Sequence, residues 1–454
     1  MVPRHVTVGF IMKVSARQLV FEAKARTVLR KSQKLYMLGV QRETWPVERL
    51  RAYQTRKAAE QALYAMRSTR FYRELYESHG FTEQDLQEDP EAFYSLPTVD
   101  KQSVRDHFEE LKTPDAEDFG VLSVTGGSTG QPLHLLRDKR VSAQPLEWRL
   151  FRWWGVKPHD NIALVWRHVK SGRQELLHGV KWWPTRRMQL DAYDINEASV
   201  RHFAEQWRVQ TPTLLTGYAG GVLEFSRVLE GLDLRLPAPR AVATTASPLT
   251  DENRQEVEDR LEAPVFDHYR SAEIPWMGGE CAERAGHHIF ADDRVVEVLD
   301  RDAESGDLGN VVATDLTNKV FPLIRYRIGD RSRAITEPCA CGSTLPRIAR
   351  IVGREGDGLR LPDGTWIAPE GVFPLFSKEP DCVRQFQVVQ SADYSILVRV
   401  VEGASPRARD FVDETLSSLR HRTHYQVPIS WESVDELIHD GGKIRYIRSH
   451  VDAH

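Results

Sequence analysis

The chain has 454 residues, 41 % hydrophobic and 28 % charged, with a formal net charge of −4. That length exceeds what one simple core needs and suits a large domain with a smaller companion. Near-balanced charge argues against a nucleic-acid-binding surface, and the lack of any apolar run of about 18 residues argues against a membrane-spanning helix.

In chain order, residues 1–94 read as mainly helical. Val6–Met12 is too short and poorly flanked for a signal peptide. The basic, amphipathic stretch Val14–Tyr36 reads as a packing helix in preference to a membrane-surface one. Leu50, Tyr53, Ala58, Ala62, Leu63 and Met66 recur near helical spacing, with charged residues between them. Ser95–Lys101 is a loop feeding a helix, with Asp100 or Ser103 as its cap.

From residue 121 short apolar runs alternate with helical patterns. The runs are Ile162–Trp166, Thr213–Leu215, Ala241–Ala243 and Val265–Phe266, and the helices Glu197–Trp207, Ala219–Glu230 and Thr250–Leu261. Such alternation predicts a multi-layer α/β fold with substantial parallel sheet. Val295–Leu299 and Asn310–Thr314 read as further strands. Gly353, Gly356, Gly358, Pro362 and Gly364 then crowd together, which fits a domain boundary. The large domain is expected over residues 1–356 and a small α+β domain over 357–454. The latter carries strands at Arg384–Val389, Tyr394–Val401 and Ile429–Val434 and a helix at Pro406–Arg420.

The most telling segment is Ser123–Pro132, a run of small and hydroxyl residues after the apolar Val121 and Leu122. Glycines allow close backbone approach to a phosphate, and successive N–H groups form an anion-binding nest. No Gly-Lys-[Ser/Thr] ends the loop, so it is not a Walker A loop. It reads as a flexible hairpin loop that grips phosphates. Four further motifs follow: Tyr269-Arg-Ser-Ala-Glu273, Arg325-Tyr-Arg-Ile-Gly-Asp330, Gly353-Arg-Glu-Gly-Asp357 and Gly441-Gly-Lys443. In this order and spacing they resemble the adenylate-forming ligase superfamily, and within it the phenylacetate–CoA ligase branch that includes capsular-polysaccharide-biosynthesis ligases. The resemblance covers roughly residues 60–450.

The resemblance implies ATP-dependent activation of a carboxylic acid, aryl for preference, to an acyl-AMP, with pyrophosphate released. The acyl group then passes to coenzyme A, a carrier-protein thiol or an amine. Thr125, Gly126, Gly127, Ser128, Thr129 and Gly130 would hold the β- and γ-phosphates. Glu273 would bind Mg²⁺, a hard cation suited to carboxylate oxygen. Tyr269 would stack on adenine, with Ala246 and Ser247 contacting the base. Asp330 would accept the ribose hydroxyls, and Arg354 would add a ribose or phosphate contact. Lys443 would be the catalytic cation at the α-phosphate, and Asp357 the hinge of a rotating small domain. The sequence departs from the family after Tyr269, where Arg270 stands and most members carry Gly. The phosphate loop is also reordered.

Eleven tryptophans are many for this length. Trp153, Trp183, Tyr218, Arg270 and Trp276 are candidates for an apolar-walled acid pocket. The four cysteines make no disulfide framework and suit a cytoplasmic protein. Cys339 and Cys341, with Cys281 and a histidine, could form a closed, structural zinc site. The Cys…Gly-x-His…Cys-x-Cys-Gly arrangement of some relatives favours His288 over His287. Two other readings stay open: an adenylyltransferase placing AMP on a hydroxyl, and a nucleotide-binding protein with a degenerate site. A monomer or a homodimer would serve equally.

Overall fold

The computed structural model describes residues 16–451, apart from 126–132, 167–172, 193, 248, 303–306, 355–357, 364–365, 368–371, 377, 380, 438, 441–442 and 445. Val6–Met12, the phosphate loop after Thr125 and Asp357 therefore lie outside the described residues.

The chain opens with helices Ala16–Arg26, Arg30–Arg42, Val47–Ser68 and Arg70–Ser78. Helix Val47–Ser68 buries Leu50, Ala58, Ala62, Ala65 and Met66 along one stripe, as its periodicity requires. The segment Val14–Tyr36 is not one helix: its described part is split between the first two helices at residues 27–29. Asp100 is the cap of helix Lys101–Asp106, its carboxylate accepting from Ser103 N at 2.7 Å.

Strands β1 (Gly120–Thr125) and β2 (Leu133–Asp138) form an antiparallel hairpin, with Thr125 opposite Leu133. The central sheet contains β3 (Ile162–Trp166), β4 (Arg187–Asp191), β5 (Leu214–Tyr218), β6 (Ala241–Thr245), β7 (Val265–Tyr269), β8 (Gly278–Glu280) and β9 (His287–Ile289). β4, β3, β5, β6 and β7 lie parallel in that order, and β8 and β9 continue the sheet antiparallel. Every residue of β5, β6 and β7 is buried. Burial along the whole strand is what a parallel sheet with both faces covered demands. The crossover helices Glu197–Gln210, Ala219–Gly231 and Asp251–Leu261 begin close to the expected starts, the first and third held by Asn196 and Thr250 caps.

A second, antiparallel sheet is built from β10 (Arg294–Asp302), β11 (Leu308–Asp315), β12 (Tyr326–Ser332) and, beyond β13 (Ala334–Ile335) and β14 (Arg347–Ile348), β15 (Gly353–Arg354). β14 and β13 extend the central sheet past β9. The paired short strands β16 (Leu359–Arg360) and β17 (Trp366–Ile367) follow. Then come β18 (Val383–Gln390), β19 (Ile396–Glu402), helix Ala408–Arg422 and β20 (Ile429–Ser433). β21 (His439–Asp440), β22 (Lys443–Ile444) and β23 (Ile447–Ser449) end the chain, and β20-β19-β18-β23 make one sheet. β16, β18, β19, helix Ala408–Arg422, β20 and β23 share a hydrophobic core running from Leu359 through Val388 and Phe411 to Ile447. No helix among the described residues is long and apolar enough to cross a membrane.

Candidate active site

Parallel strands bring their C-terminal ends to one edge, the usual binding edge of an open α/β sheet. Here β3 ends at Trp166, β5 at Tyr218, β6 at Thr245 and β7 at Tyr269. Close approach of β3 and β5 depends on Gly217, because a Cβ there would lie 2.5 Å from the Val165 carbonyl oxygen. The residue after β6, Ala246, adopts a left-handed φ of +75°, and Ser247 beside it is half-buried. A non-glycine residue held in that region is often found at a ligand-binding turn.

Tyr269 and Asp330 are both buried, and the Tyr269 hydroxyl donates to Asp330 Oδ2 at 2.8 Å. Asp330 lies on β12 directly opposite Arg354 of β15, so these three segments meet. Glu273 is half-buried beyond the end of β7. Arg137 of β2 donates to the carbonyl of Ala272 at 3.2 Å, which brings the β1–β2 hairpin to the Glu273 loop. Burial lowers the Arg137 pKa, and the charge of Glu273 partly offsets that effect. Of the phosphate loop, Thr125 ends β1, while Gly126, Gly127, Ser128, Thr129 and Gly130 lie outside the described residues. Lys443 sits on β22 opposite Asp440.

On the other side of β7 lies an aromatic box. Trp166 and Tyr218 stack with ring centroids 4.3 Å apart at 19°. The Arg270 guanidinium lies 5.0 Å from the Trp166 ring centre and 4.8 Å from that of Trp276. His268 stacks on the other indole at 5.3 Å and 10°. Burial, reinforced by the Arg270 charge, pushes the His268 imidazole down to about 3. Of the expected pocket residues, Tyr218, Arg270 and Trp276 meet here. Trp153 instead packs against His288 and Phe290 and donates to Glu43 Oε2, while Trp183 is 60 % exposed. Trp166 and His268 were not singled out from the sequence. The signal was present: both stand at the C-terminal ends of apolar strands, where side chains face the binding edge.

Cys281, His288, Cys339 and Cys341 converge, all ligand atoms lying within 4.8 Å of one another. Cys281 Sγ is 3.7 Å from Cys339 Sγ, and Cys341 Sγ is 3.4 Å from His288 Nε2. A tetrahedral zinc with Zn–S bonds of about 2.3 Å separates its sulfurs by roughly 3.8 Å, so the donor set fits. Burial pushes the Cys281 thiol up to about 12, with the adjacent thiols adding to the shift. His287, the alternative ligand, turns to Asp267 Oδ2 at 3.1 Å. Gly286 allows the turn into β9: its φ is +96°, and a Cβ there would lie 2.6 Å from the Ile348 carbonyl oxygen.

No protein-family model matches the chain. A phenylacetate-coenzyme A ligase of Thermus thermophilus is 27 % identical over 405 residues, spanning 84 % of this chain and 88 % of that protein. Protein CapK of Staphylococcus aureus is 20 % identical, with 86 % of each chain covered. Among solved structures, 2-hydroxyisobutyryl-CoA ligase in the postadenylation state, in complex with 2-HIB-AMP, superposes with a TM-score of 0.72. It is 18 % identical, and 91 % of each chain is covered. The ordered motifs and the curated likenesses over most of both chains agree: the chain resembles the adenylate-forming ligases, and among them the phenylacetate–CoA ligase branch.

Proposed function

We propose that the chain is an AMP-forming acid ligase that uses ATP to convert a carboxylic acid to an acyl-AMP and then transfers the acyl group to coenzyme A. The observation that carries this reading is the buried Tyr269–Asp330 hydrogen bond, at the strand-end edge beside Ala246 and Ser247. A phenol ring and a carboxylate held together suit a purine face and a pair of ribose hydroxyls.

In the first half-reaction a carboxylate oxygen of the acid attacks the α-phosphorus. The bond from that phosphorus to the bridging oxygen breaks, and pyrophosphate leaves with the electron pair. Two anions must approach, so cations and N–H groups fixed in advance lower the barrier. The Thr125–Gly130 loop would hold the departing phosphates. Lys443 would face the attacking carboxylate and the α-phosphate, where charge builds. Mg²⁺, held by Glu273, would neutralise phosphate oxygens when bound. In the second half-reaction a thiolate attacks the acyl carbonyl carbon and AMP leaves. Arg354 would contact the ribose or a phosphate, and Asp357 would serve as the pivot between residues 1–356 and 357–454. Tyr218, Arg270, Trp276 and, from the geometry, Trp166 would line the acid pocket, with Trp153 and Trp183 outside it.

We assign zinc to Cys281, His288, Cys339 and Cys341. Four protein ligands leave no open position, so the metal would brace the β8–β9 hairpin against the 339–342 turn and take no part in acyl transfer.

The test is pyrophosphate release from ATP across a panel of acids, with hydroxylamine present as the acceptor. An acid-dependent release, accompanied by the matching hydroxamate, supports the reading. Release of pyrophosphate with AMP retained on a hydroxyl product would replace it with adenylyl transfer.

A further inference from the structure

The first two helices have an inner and an outer face. Phe21 and Ala25 pack inward against Trp148, and Ser32 and Gly39 are buried on the second helix. The outer face is basic. Residues 16–42 hold seven basic side chains and one acidic one, Glu22, in a chain whose net charge is −4. Arg17, Arg26, Arg30 and Lys34 are exposed and make no ion pair among the described residues. Arg30, Lys34, Met37 and Gln41 follow helical spacing along one side of helix Arg30–Arg42. Large apolar side chains stand in water among these charges. Val28, in the turn between the two helices, is 79 % exposed, Met37 61 % and Leu19 57 %. Helix Arg173–Trp182 extends this surface. It connects β3 to β4, yet none of its residues is buried, and Leu176, Leu177 and Val180 share one exposed side. Lys24 donates to the carbonyls of Lys181 and Trp183, each at 2.7 Å. That contact sets the exposed Trp183 beside the basic helices.

Cations segregated from acidic groups create a positive potential that an anionic surface neutralises. Exposed valine, leucine and methionine side chains gain by entering an apolar layer, and an indole suits the boundary between headgroups and acyl chains. A nucleic acid would engage the cations and leave the aliphatic side chains in water, whereas a bilayer takes both. We infer that the face built from helices Ala16–Arg26, Arg30–Arg42 and Arg173–Trp182 docks reversibly on an anionic lipid bilayer. Arg17, Arg26, Arg30 and Lys34 would meet the headgroups, and Leu19, Val28, Met37 and Trp183 would enter the layer beneath them. The inference is independent of the acid-activating function proposed above.

The experiment is co-sedimentation of the full chain with two kinds of vesicle. One is phosphatidylcholine alone, and the other carries about 30 % phosphatidylglycerol, both at about 0.1 M NaCl. The wild type is compared with a charge variant, Arg26→Glu, Arg30→Glu, Lys34→Glu, and an apolar variant, Val28→Ser, Met37→Ser. Thermal melting is checked on each protein. The wild type is expected to bind the anionic vesicles about 10²-fold more tightly than the neutral ones, and to lose about 10-fold at roughly 0.5 M NaCl. The charge variant should lose the preference, since each cation near such a surface contributes about five-fold. The apolar variant should bind the anionic vesicles about 10-fold more weakly. Binding to neither vesicle, or equally to both, overturns the inference. So does a wild-type preference that the charge variant keeps. Duplex DNA bound as tightly as the anionic vesicles, with the apolar variant unaffected in both cases, would make this a polyanion surface instead. A vesicle-free dimer that the apolar variant dissolves would assign the face to a second copy of the chain. If the charge variant does not fold, the salt dependence and the apolar variant still decide.

Discussion

The Tyr269 hydroxyl donates to Asp330 Oδ2 at 2.8 Å across 61 residues of sequence, tying the end of β7 to β12. If this pair forms the nucleotide site, Asp330→Ala should weaken ATP binding by about 10²-fold, since hydrogen bonds to a charged group contribute about 1.5–3 kcal/mol. Tyr269→Phe keeps the ring and removes one donor, so a loss of only about 10-fold is expected. ATP-dependence of pyrophosphate exchange measures both. An unaltered KM for ATP in Asp330→Ala would remove Asp330 from the ribose site.

Lys443 lies on a two-residue strand near the C-terminus. Lys443→Ala should reduce acyl-AMP formation by about 10²–10³-fold, the scale seen when one charge-stabilising donor is lost. The melting temperature should not move, which would separate loss of the charge from loss of the fold. Single-turnover quench with labelled ATP reads the step directly. A normal rate would show that some other cation does the work.

The sulfur and nitrogen atoms of Cys281, His288, Cys339 and Cys341 lie within 4.8 Å of one another. Purified protein should contain about one zinc per chain by elemental analysis. The Cys339→Ser, Cys341→Ser variant should lose it and melt on the order of 5 °C lower. Its acyl-AMP formation at low temperature should persist, because a closed site braces the fold and does not touch substrate. Metal-free protein with unchanged melting would refute the zinc assignment.

Asp138 closes strand β2 at the base of the phosphate-loop hairpin. Its carboxylate accepts from the Arg140 backbone N–H and, at 2.7–3.2 Å, from the Arg140 guanidinium. Burial alone would raise its pKa, but the Arg140 hydrogen bonds and charge outweigh burial and hold it below the usual range. A carboxyl depressed in the folded state stabilises the fold above its unfolded value, about 3.9, and that stability is lost as pH falls through the lower folded value. Asp138→Asn should therefore melt roughly 2–4 °C below the wild type at pH 7, and the gap should shrink steadily below about pH 4. Melting curves across that range check the sign. A gap that is constant with pH would mean that the carboxylate charge is not what matters.

Much of this protein was legible in its sequence because the relevant signals are local. Strand–helix alternation over residues 162–269 follows from backbone periodicity. Strand Ile162–Trp166 has the bounds read, whereas Leu214–Tyr218 extends past Leu215, because Thr216 and Gly217 lack the apolar mark although they are buried between neighbouring strands. Asp100 announced itself as a cap through its own short side chain and Ser103. Residues whose chemistry is rare in combination, such as Tyr269, Asp330 and the Cys339–Cys341 pair, could be singled out by type and order alone.

The tryptophans could not be sorted in that way. Nothing in the neighbours of Trp153 says that it packs on His288, nor in those of Trp166 that it stacks on Tyr218 and faces Arg270. An indole serves a core and a pocket equally well, and the choice depends on which strand end it occupies and what the sheet order sets beside it. The sequence by itself determined most of the elements and the order of the motifs, which rest on local spacing and residue chemistry, while the choice of His288 beside the cysteines came from the resemblance. Only the tertiary structure decided that Arg270 and His268 share a box with Trp166 and Trp276. Pairings of that kind arise from the lateral order of β3, β5 and β7, and chain separation does not encode that order.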